Sequence, residues 1–340
     1  MVREKITSQD VARLAGVSQS AVSRVFTPGA SVSKETKEKV RRAANALGYR
    51  PNVLARSLIT GRSRIIGLVV AYLDNYFYPE ALEKLSNALQ AKGYHVLVFM
   101  ASQKAGNIDG VLDEILDYQV DGIVMASVAM SSDLAARCQA VGVPVVLFNR
   151  SQDDERLSAV TSNNIAGGRL VAQFLAAAGH RRIAHIAGWE GASTTRDRER
   201  GFQEGLTAAG LALHAREVGN YDFEEARKAT RRLFGRSDSP DAVFVANDHM
   251  CFAAMDVLRY ELGLRVPEDV SVVGYDDVPP AAWPAYDLTT VRQRANLMVS
   301  ETVKILLENI ENPDAPPRRI AIEAPLVVRG SARIPQGWTL

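Results

Sequence analysis

The chain has 340 residues, of which 47% are hydrophobic and 23% charged, and its formal net charge is only +1. This length suits two or three domains, and the composition is typical of globular proteins. No window approaches the roughly 18 consecutive apolar residues of a membrane span, and the N-terminus has no apolar signal segment. The sequence therefore predicts a cytoplasmic globular protein that is not inserted in a membrane.

The small net charge hides a strong asymmetry along the chain. Residues 1–64 contain 13 Lys and Arg against 4 Asp and Glu, a net charge of +9, whereas the rest of the chain carries −8. A basic segment joined to a larger acidic one indicates that the basic segment meets a polyanion such as nucleic acid.

The segment Thr7–Val25 has the pattern of a helix-turn-helix. Thr7 and Ser18 are residues that cap helices at their N-termini, and Gly16 between them tolerates the positive φ of a tight turn. The predicted inward positions of the two helices are apolar: Val11, Ala12, Leu14, Ala15, Val22 and Val25. An ordinary helical hairpin would show the same pattern, but the basic charge favours two helices that fit a major groove.

A third helix is predicted between Ser33 as N-cap and Gly48 at the C′ position. The runs ITSQDVARLAGVSQSAVSRVF and VSKETKEKVRRAANALGYRPN, together with the hinge ARSL, resemble the LacI/GalR family of bacterial repressors. The resemblance extends along essentially the whole chain.

This resemblance implies a set of DNA contacts. Residues that would read base edges in the major groove are Gln19, Ser20 and Arg24, and residues that would hold phosphates are Thr7, Ser18, Ser23 and Tyr49. Gln can pair with adenine and Arg with guanine. In the hinge, the implied contacts are Asn52, Ala55 and Leu58, with Leu58 wedged into the minor groove to kink the duplex. The hinge Val53–Ile59 is too short for a stable isolated helix, so we expect it to fold only against DNA and a dimer mate.

From Arg64 onward, apolar strands alternate with helices, which predicts parallel sheets covered on both faces. The predicted strands are Ile65–Ala71, His95–Met100, Gly122–Ala126, Val143–Phe148, Ile183–Ala187, Ala242–Ala246 and Val270–Tyr275. The predicted helices are Pro79–Ala91, Leu134–Val141, Ala166–Ala178, Arg198–Ala209, Glu224–Phe234, His249–Glu261 and Ala295–Asn309. Because seven strand–helix units are more than a single sheet usually contains, we predict two doubly wound parallel α/β subdomains.

The predicted fold class is therefore α/β, with a helical DNA-binding domain followed by two subdomains of the periplasmic-binding-protein type, which the family resemblance also implies. The predicted domains are a helix-turn-helix domain at 1–50, a hinge helix and linker at 51–62, and an effector-binding and dimerisation domain at 63–340. No leucine heptad follows the strand-like segment Arg319–Val328, so we expect a dimer without a tetramerising helix.

Polar residues follow several predicted strands, where doubly wound folds bind ligands. Each could be a solvated loop or a helix cap, but together they suit the hydroxyls of a sugar or a similar polar effector. By resemblance the effector-binding residues are Asp74, Phe77, Asn149, Arg198, Tyr221, Asn247 and Asp276. The run DNYFYPE departs from the family pattern DxxNPFF at the first strand end.

The sequence favours a ligand-controlled transcriptional regulator, a repressor, that binds a palindromic DNA operator as a homodimer. Alternatives are a regulator that responds to a nucleobase or another metabolite, and a sugar-binding protein without a regulatory role. An enzyme is not expected, since the motifs GxxxxGK[ST], GxSxG and GxGxxG are absent. The two cysteines, Cys138 and Cys251, are isolated. No catalytic residue, metal site or cofactor is predicted.

Overall fold

The structure is a computed structural model that describes residues 6–27, 30–50, 62–101, 108–126, 132–152 and 155–338. The chain divides into two compact units, an N-terminal unit of residues 1–63 and a C-terminal unit of residues 64–340. The predicted hinge Val53–Ile59 lies outside the described residues.

The N-terminal unit contains the helices α1 (Ser8–Ala15), α2 (Gln19–Phe26) and α3 (Lys34–Leu47). A reciprocal capping box between Thr7 and Asp10 begins α1, and Gly16 ends it in the left-handed conformation with φ 65°. The side chains of Ser18 and Ser33 cap α2 and α3. Their buried core consists of Val11, Ala12, Val22, Val40, Ala43 and Ala44. The predicted helix-turn-helix and third helix are therefore confirmed.

One inward position of α1 was predicted wrongly. Leu14 is 56% exposed, although the sequence pattern placed it on the inner face. At 3.6 residues per turn, the inner arc of this short helix is centred between Val11, Ala12 and Ala15, and Leu14 falls on its flank.

The C-terminal unit contains twelve strands and eight α-helices among its described residues. The strands are β1 (Ile65–Val70), β2 (His95–Met100), β3 (Gly122–Ala126), β4 (Val145–Phe148), β5 (Ser158–Ser162), β6 (Ile183–Ala187), β7 (Ala215–Val218), β8 (Ala242–Val245), β9 (Ser271–Asp276), β10 (Thr289–Arg292), β11 (Arg319–Ile322) and β12 (Leu326–Val327). The helices are α4 (Phe77–Ala91), α5 (Ile108–Asp117), α6 (Ser132–Ala140), α7 (Asn164–Ala177), α8 (Ser193–Ala208), α9 (Phe223–Phe234), α10 (Asp248–Asp256) and α11 (Ala295–Glu311).

The strands form two six-stranded sheets, which define two subdomains. Subdomain A has the strand order β11-β5-β4-β3-β1-β2, and all of its strand pairs are parallel. Subdomain B has the order β12-β10-β9-β8-β6-β7, in which only β12 runs antiparallel to its neighbour. The predicted pair of doubly wound subdomains is confirmed.

All seven predicted strands and all seven predicted helices are present; β2, β3 and β6 have the predicted bounds, and the other elements have shifted ends. The largest shift is at α8, which begins at Ser193 rather than Arg198. The predicted helix His249–Glu261 is α10 followed by a π-helical turn, Val257–Glu261. The sequence pattern did not predict α5 or the strands β5, β7 and β10. Strands β7 and β10, AREV and TTVR, are only four residues long and carry few apolar residues.

The chain passes between the subdomains three times. It crosses from β5 to α7, from β10 to α11, and from β11 to β12. We call these segments the first, second and third crossovers. Among the described residues, no helix is long and apolar enough to cross a membrane.

Candidate functional site

Helix α2 carries an exposed polar face. The exposed residues of this face are Ser18, Gln19, Ser20, Ser23 and Arg24. Gln19 Nε2 donates a hydrogen bond to Ser8 Oγ at 2.9 Å, which links α2 to α1. Arg24 Nε makes only a long contact of 3.5 Å to the carbonyl oxygen of Ser20. The outer ends of these side chains are therefore positioned to meet an external partner.

The predicted phosphate contacts Thr7 and Tyr49 have different surroundings. Thr7 is exposed, and its hydroxyl donates to Asp10 Oδ2 at 2.7 Å. Tyr49 is half-buried, and its ring lies 6.0 Å from the ring of Phe26. The predicted hinge contacts Asn52, Ala55 and Leu58 lie outside the described residues.

A second candidate site is a narrow cavity in the C-terminal unit with only about 10 Å³ of free space, which we call the effector cavity. Its lining comes from both subdomains, mostly from residues that follow the carboxyl ends of strands. The lining residues are Tyr72, Asn75, Tyr78, Asn149, Arg150, Thr194, Arg198, Tyr221, Asn247 and Asp276. Five predicted effector-binding residues are among them: Asn149, Arg198, Tyr221, Asn247 and Asp276.

Arg198 is the most constrained charge of this cavity. It is 2% exposed, and its guanidinium lies 3.6 Å from the centre of the Tyr275 ring. Its Nη1 donates to the carbonyl oxygen of Ala246 at 2.5 Å, and its Nη2 lies 3.5 Å from Asp276 Oδ1. Burial alone would lower the pKa of Arg198, but the Asp276 carboxylate and nearby tyrosines raise it above its ordinary value. The guanidinium therefore stays charged.

The carboxylate of Asp276 lies in the cavity, and the backbone at this residue has an unusual conformation. Its φ is 129° and that of Asp277 is 59°, both in the region that favours glycine, and such strain clusters at functional sites. Asn75 Nδ2 donates to Asp276 Oδ2 at 3.1 Å, and Gln293 Nε2 donates to Asp276 Oδ1 at 2.7 Å. Burial raises the pKa of Asp276, and the charge of Arg198 opposes that rise.

Two buried amides leave one polar atom each for a ligand. Asn149 Nδ2 donates to the Tyr78 hydroxyl at 3.0 Å, and Asn247 Oδ1 accepts from Met250 N at 3.0 Å to cap α10. Asn149 Oδ1 and Asn247 Nδ2 are buried without a hydrogen-bond partner among the described residues. Because native proteins rarely leave buried polar atoms unsatisfied, this acceptor and this donor suit a ligand that carries hydroxyl groups.

Tyr221 forms an aromatic wall of the cavity. Its hydroxyl is 2.9 Å from both Thr194 Oγ1 and Thr195 Oγ1. Its ring packs on Gly188, where an added Cβ would lie only 2.2 Å from a ring atom. The glycine therefore makes room for the ring.

The comparisons with known proteins match this architecture. Residues 7–52 match the family described as "Bacterial regulatory proteins, lacI family", and residues 172–332 match the "Periplasmic binding protein-like domain". The HTH-type transcriptional regulator CelR of Thermobifida fusca is 37% identical over 339 residues, covering 97% of this chain and 99% of the relative. The chain belongs to the LacI family of bacterial regulatory proteins.

Solved structures of the LacI family share the whole architecture. A lac repressor dimer bound to operator and the anti-inducer ONPF has a TM-score of 0.88 at 28% identity, covering 96% of this chain and 99% of that one. A CelR–cellobiose complex has a TM-score of 0.73 at 34% identity, covering 96% of this chain and 100% of that one. These relatives are transcriptional regulators rather than enzymes. The predicted family and fold class are confirmed.

Two predicted effector residues of this LacI-family chain lie outside the cavity lining. Asp74 is exposed, and its neighbour Asn75 lines the cavity instead. Phe77 is 2% exposed, stacks on Phe148 at 6.1 Å between ring centres, and faces an adjoining pocket. Both positions fall in the run DNYFYPE, where the sequence departs from the family pattern.

Five lining residues were not among the predicted effector-binding residues: Tyr72, Asn75, Tyr78, Arg150 and Thr194. Tyr72 and Arg150 lie two residues beyond the ends of β1 and β4. Their position after a strand end could therefore have predicted that they line the site. Among the described residues, no group of three or more His, Cys, Asp or Glu side chains could hold a metal ion.

Proposed function

We propose that this chain represses transcription by binding a palindromic DNA operator as a homodimer, and that a sugar in the effector cavity controls the binding. The observation that carries the proposal is the exposed polar face of α2 within a segment that has a net charge of +9. The lac repressor dimer bound to operator supports the same arrangement here.

In this proposal Gln19, Ser20 and Arg24 read bases, while Thr7, Ser18, Ser23 and Tyr49 hold phosphates. The hinge residues Asn52, Ala55 and Leu58 would contact the minor groove between the two half-sites. Phosphate contacts release counterions, so specific affinity should fall steeply as salt is raised. Selection of bound duplexes from random DNA would identify the operator, and equal affinity for the selected and random duplexes at physiological salt would contradict the proposal.

The effector cavity supports a sugar as ligand. The unpartnered atoms of Asn149 and Asn247 are one acceptor and one donor, and a sugar hydroxyl can serve both. The ring of Tyr221 could pack against the apolar face of a sugar. The charged side chains of Arg198 and Asp276 could exchange hydrogen bonds within the protein for hydrogen bonds to the sugar hydroxyls. Since CelR was solved with cellobiose, cellobiose is the first ligand to test.

The test is a thermal-shift panel of cellobiose, monosaccharides, sugar acids and nucleobases, because a ligand that binds only the folded state raises its melting temperature. We expect a sugar to give the largest shift and to change operator affinity. A shift from a nucleobase alone would favour the alternative regulator, and a shift without any change in operator affinity would favour a sugar-binding protein. Recovery of the ligand unchanged after incubation would agree with a protein that acts by binding alone.

A further inference from the structure

Four hydrogen bonds and one ion pair link five buried polar residues, at the effector cavity and behind it, into a closed ring. In order around the ring they are Arg198, Asn164, Ser162, Gln293 and Asp276, and each is at most 5% exposed. Leaving a buried polar group without a hydrogen-bond partner destabilises a folded protein. A ring in which each member satisfies the next therefore favours one arrangement of all five side chains.

The contacts of the ring are direct. Arg198 Nε donates to Asn164 Oδ1 at 2.9 Å, and Asn164 Nδ2 donates to the carbonyl oxygen of Ser162 at 3.1 Å. Ser162 Oγ donates to Gln293 Oε1 at 2.8 Å, and Gln293 Nε2 donates to Asp276 Oδ1 at 2.7 Å. Arg198 Nη2, 3.5 Å from the same carboxylate oxygen, closes the ring.

Three members of the ring stand where the chain passes between the subdomains. Ser162 ends β5 in subdomain A, and Asn164 begins α7 on the other side of the first crossover. Gln293 lies in the second crossover, directly after β10 of subdomain B. Arg198 and Asp276 line the cavity. The ring therefore joins the charged pair of the cavity to two of the three crossovers.

The third crossover is tied to the first by neighbouring bonds. Asn163 N donates to the carbonyl oxygen of Ile322 at 2.8 Å, and Asn163 Nδ2 donates to Glu323 Oε1 at 2.9 Å. A displacement at Ser162 would therefore reach the chain segment that follows β11.

We propose that this ring couples occupancy of the effector cavity to the relative orientation of the two subdomains. The inference rests on the function proposed above. A ligand that forms a hydrogen bond with Arg198 or Asp276 can replace the bond by which that residue is held in the ring. Because the bonds of a buried network polarise one another, the loss of one bond weakens the others. Ser162, Asn164 and Gln293 are thus positioning residues. They link the ligand to segments whose rotation is the usual basis of domain movement.

The test opens the ring at a point that does not touch the ligand. Ser162→Ala removes the hydroxyl that joins the first and second crossovers. Thr230→Val is the matched control, because it removes another fully buried hydroxyl, one that bonds only within α9 to the carbonyl oxygen of Ala226. For each protein, the Kd for the selected operator is measured with and without saturating cellobiose, and the Kd for cellobiose is measured by calorimetry.

In the wild type we expect cellobiose to change operator affinity about 5- to 150-fold, the usual range of allosteric coupling. Ser162→Ala should still bind cellobiose, because Ser162 does not line the cavity, but its coupling ratio should fall close to one. Thr230→Val should keep the wild-type ratio. A Ser162→Ala protein that binds cellobiose and keeps the wild-type ratio would overturn the proposal.

A second measurement does not depend on the ligand. Amide hydrogen exchange should be faster in Ser162→Ala at both residues 162–167 and residues 293–298, and unchanged there in Thr230→Val. Faster exchange at only one of the two crossovers would contradict the proposal that the ring couples them. A wild type without operator binding or cellobiose response would overturn the proposed function instead, and the exchange experiment would still decide the ring. If Ser162→Ala does not fold, Gln293→Met opens the ring from the other side and should give the same exchange pattern.

Discussion

The two units present their recognition residues in opposite ways. On α2, Gln19 and Arg24 are exposed and make few bonds within the chain. In the effector cavity, Arg198 and Asp276 are at most 3% exposed and bonded to several partners. DNA is a large charged surface approached from outside, whereas a small ligand is enclosed. Substitutions on α2 should therefore change binding without changing folding, whereas substitutions in the cavity should change both.

The largest expected effect is that of Arg198→Ala, which tests the buried side of this comparison. It leaves the Asp276 carboxylate without its opposite charge, and breaking a buried ion pair costs about 3–5 kcal/mol. We expect cellobiose affinity to fall by at least about 100-fold, together with the melting temperature, while operator binding without ligand persists. Calorimetry of binding and of unfolding measures both.

Arg200→Ala is the matched control on the same helix, since the Arg200 side chain is 69% exposed and pairs with Glu204. Exposed pairs contribute about 0–1 kcal/mol, so neither quantity should change much. Wild-type cellobiose affinity in Arg198→Ala would remove this residue from the effector site.

A buried histidine in the C-terminal unit should make the stability of the folded protein depend on pH. All five histidines lie in this unit, and His185 is fully buried with Nδ1 2.9 Å from the carbonyl oxygen of Phe244. Burial lowers the pKa of His185 from 6.5 to about 4. Between these values the unfolded chain binds more protons than the folded one, so stability is lost as the pH falls from about 6.5 towards 4.

The shift corresponds to about 3 kcal/mol at its full extent. Urea unfolding at a series of pH values should show the loss, and His185→Gln should flatten the profile in that window whatever its effect on stability at pH 7. An equally steep profile in His185→Gln would assign the pH dependence to other groups.

How far the sequence predicts each region follows from the range of its interactions. The capping residue Thr7 and the turn residue Gly16 act within a few residues, and both were predicted. The cavity residues Asn149 and Asp276 were predicted because residues after parallel strands meet at one edge of a sheet. Gln293 was not, because its role depends on β10, a four-residue strand that the sequence pattern did not reveal, and on long-range pairing across the crossovers.

Arg24→Ala tests the exposed side of the comparison and should have a smaller, purely functional effect. If Arg24 pairs with a guanine, its loss should cost about 1–3 kcal/mol on the selected operator and much less on random DNA. The melting temperature should stay unchanged, because the side chain is exposed. Fluorescence anisotropy with both duplexes measures the difference. Arg13→Ala, on the exposed side of α1 with a side chain 79% exposed, should leave the preference for the operator intact. An equal loss on both duplexes would reassign Arg24 to a phosphate contact.

Thr7→Ala should have the smallest effect on stability and binding. It is an exception to the contrast between the two units, because Thr7 is an exposed recognition residue that also stabilises the fold. The Thr7 hydroxyl accepts from Asp10 N at 3.4 Å and donates to Asp10 Oδ2 at 2.7 Å, so this proposed phosphate contact is also a helix cap. Loss of an N-cap costs about 0.5–2 kcal/mol, and a lost phosphate contact weakens all duplexes alike. We therefore expect a lower melting temperature for the N-terminal unit and a uniform loss of DNA affinity with unchanged specificity. Thr7→Ser keeps the hydroxyl and should restore both, whereas a variant Thr7→Ala with wild-type stability would show that the capping box contributes nothing measurable.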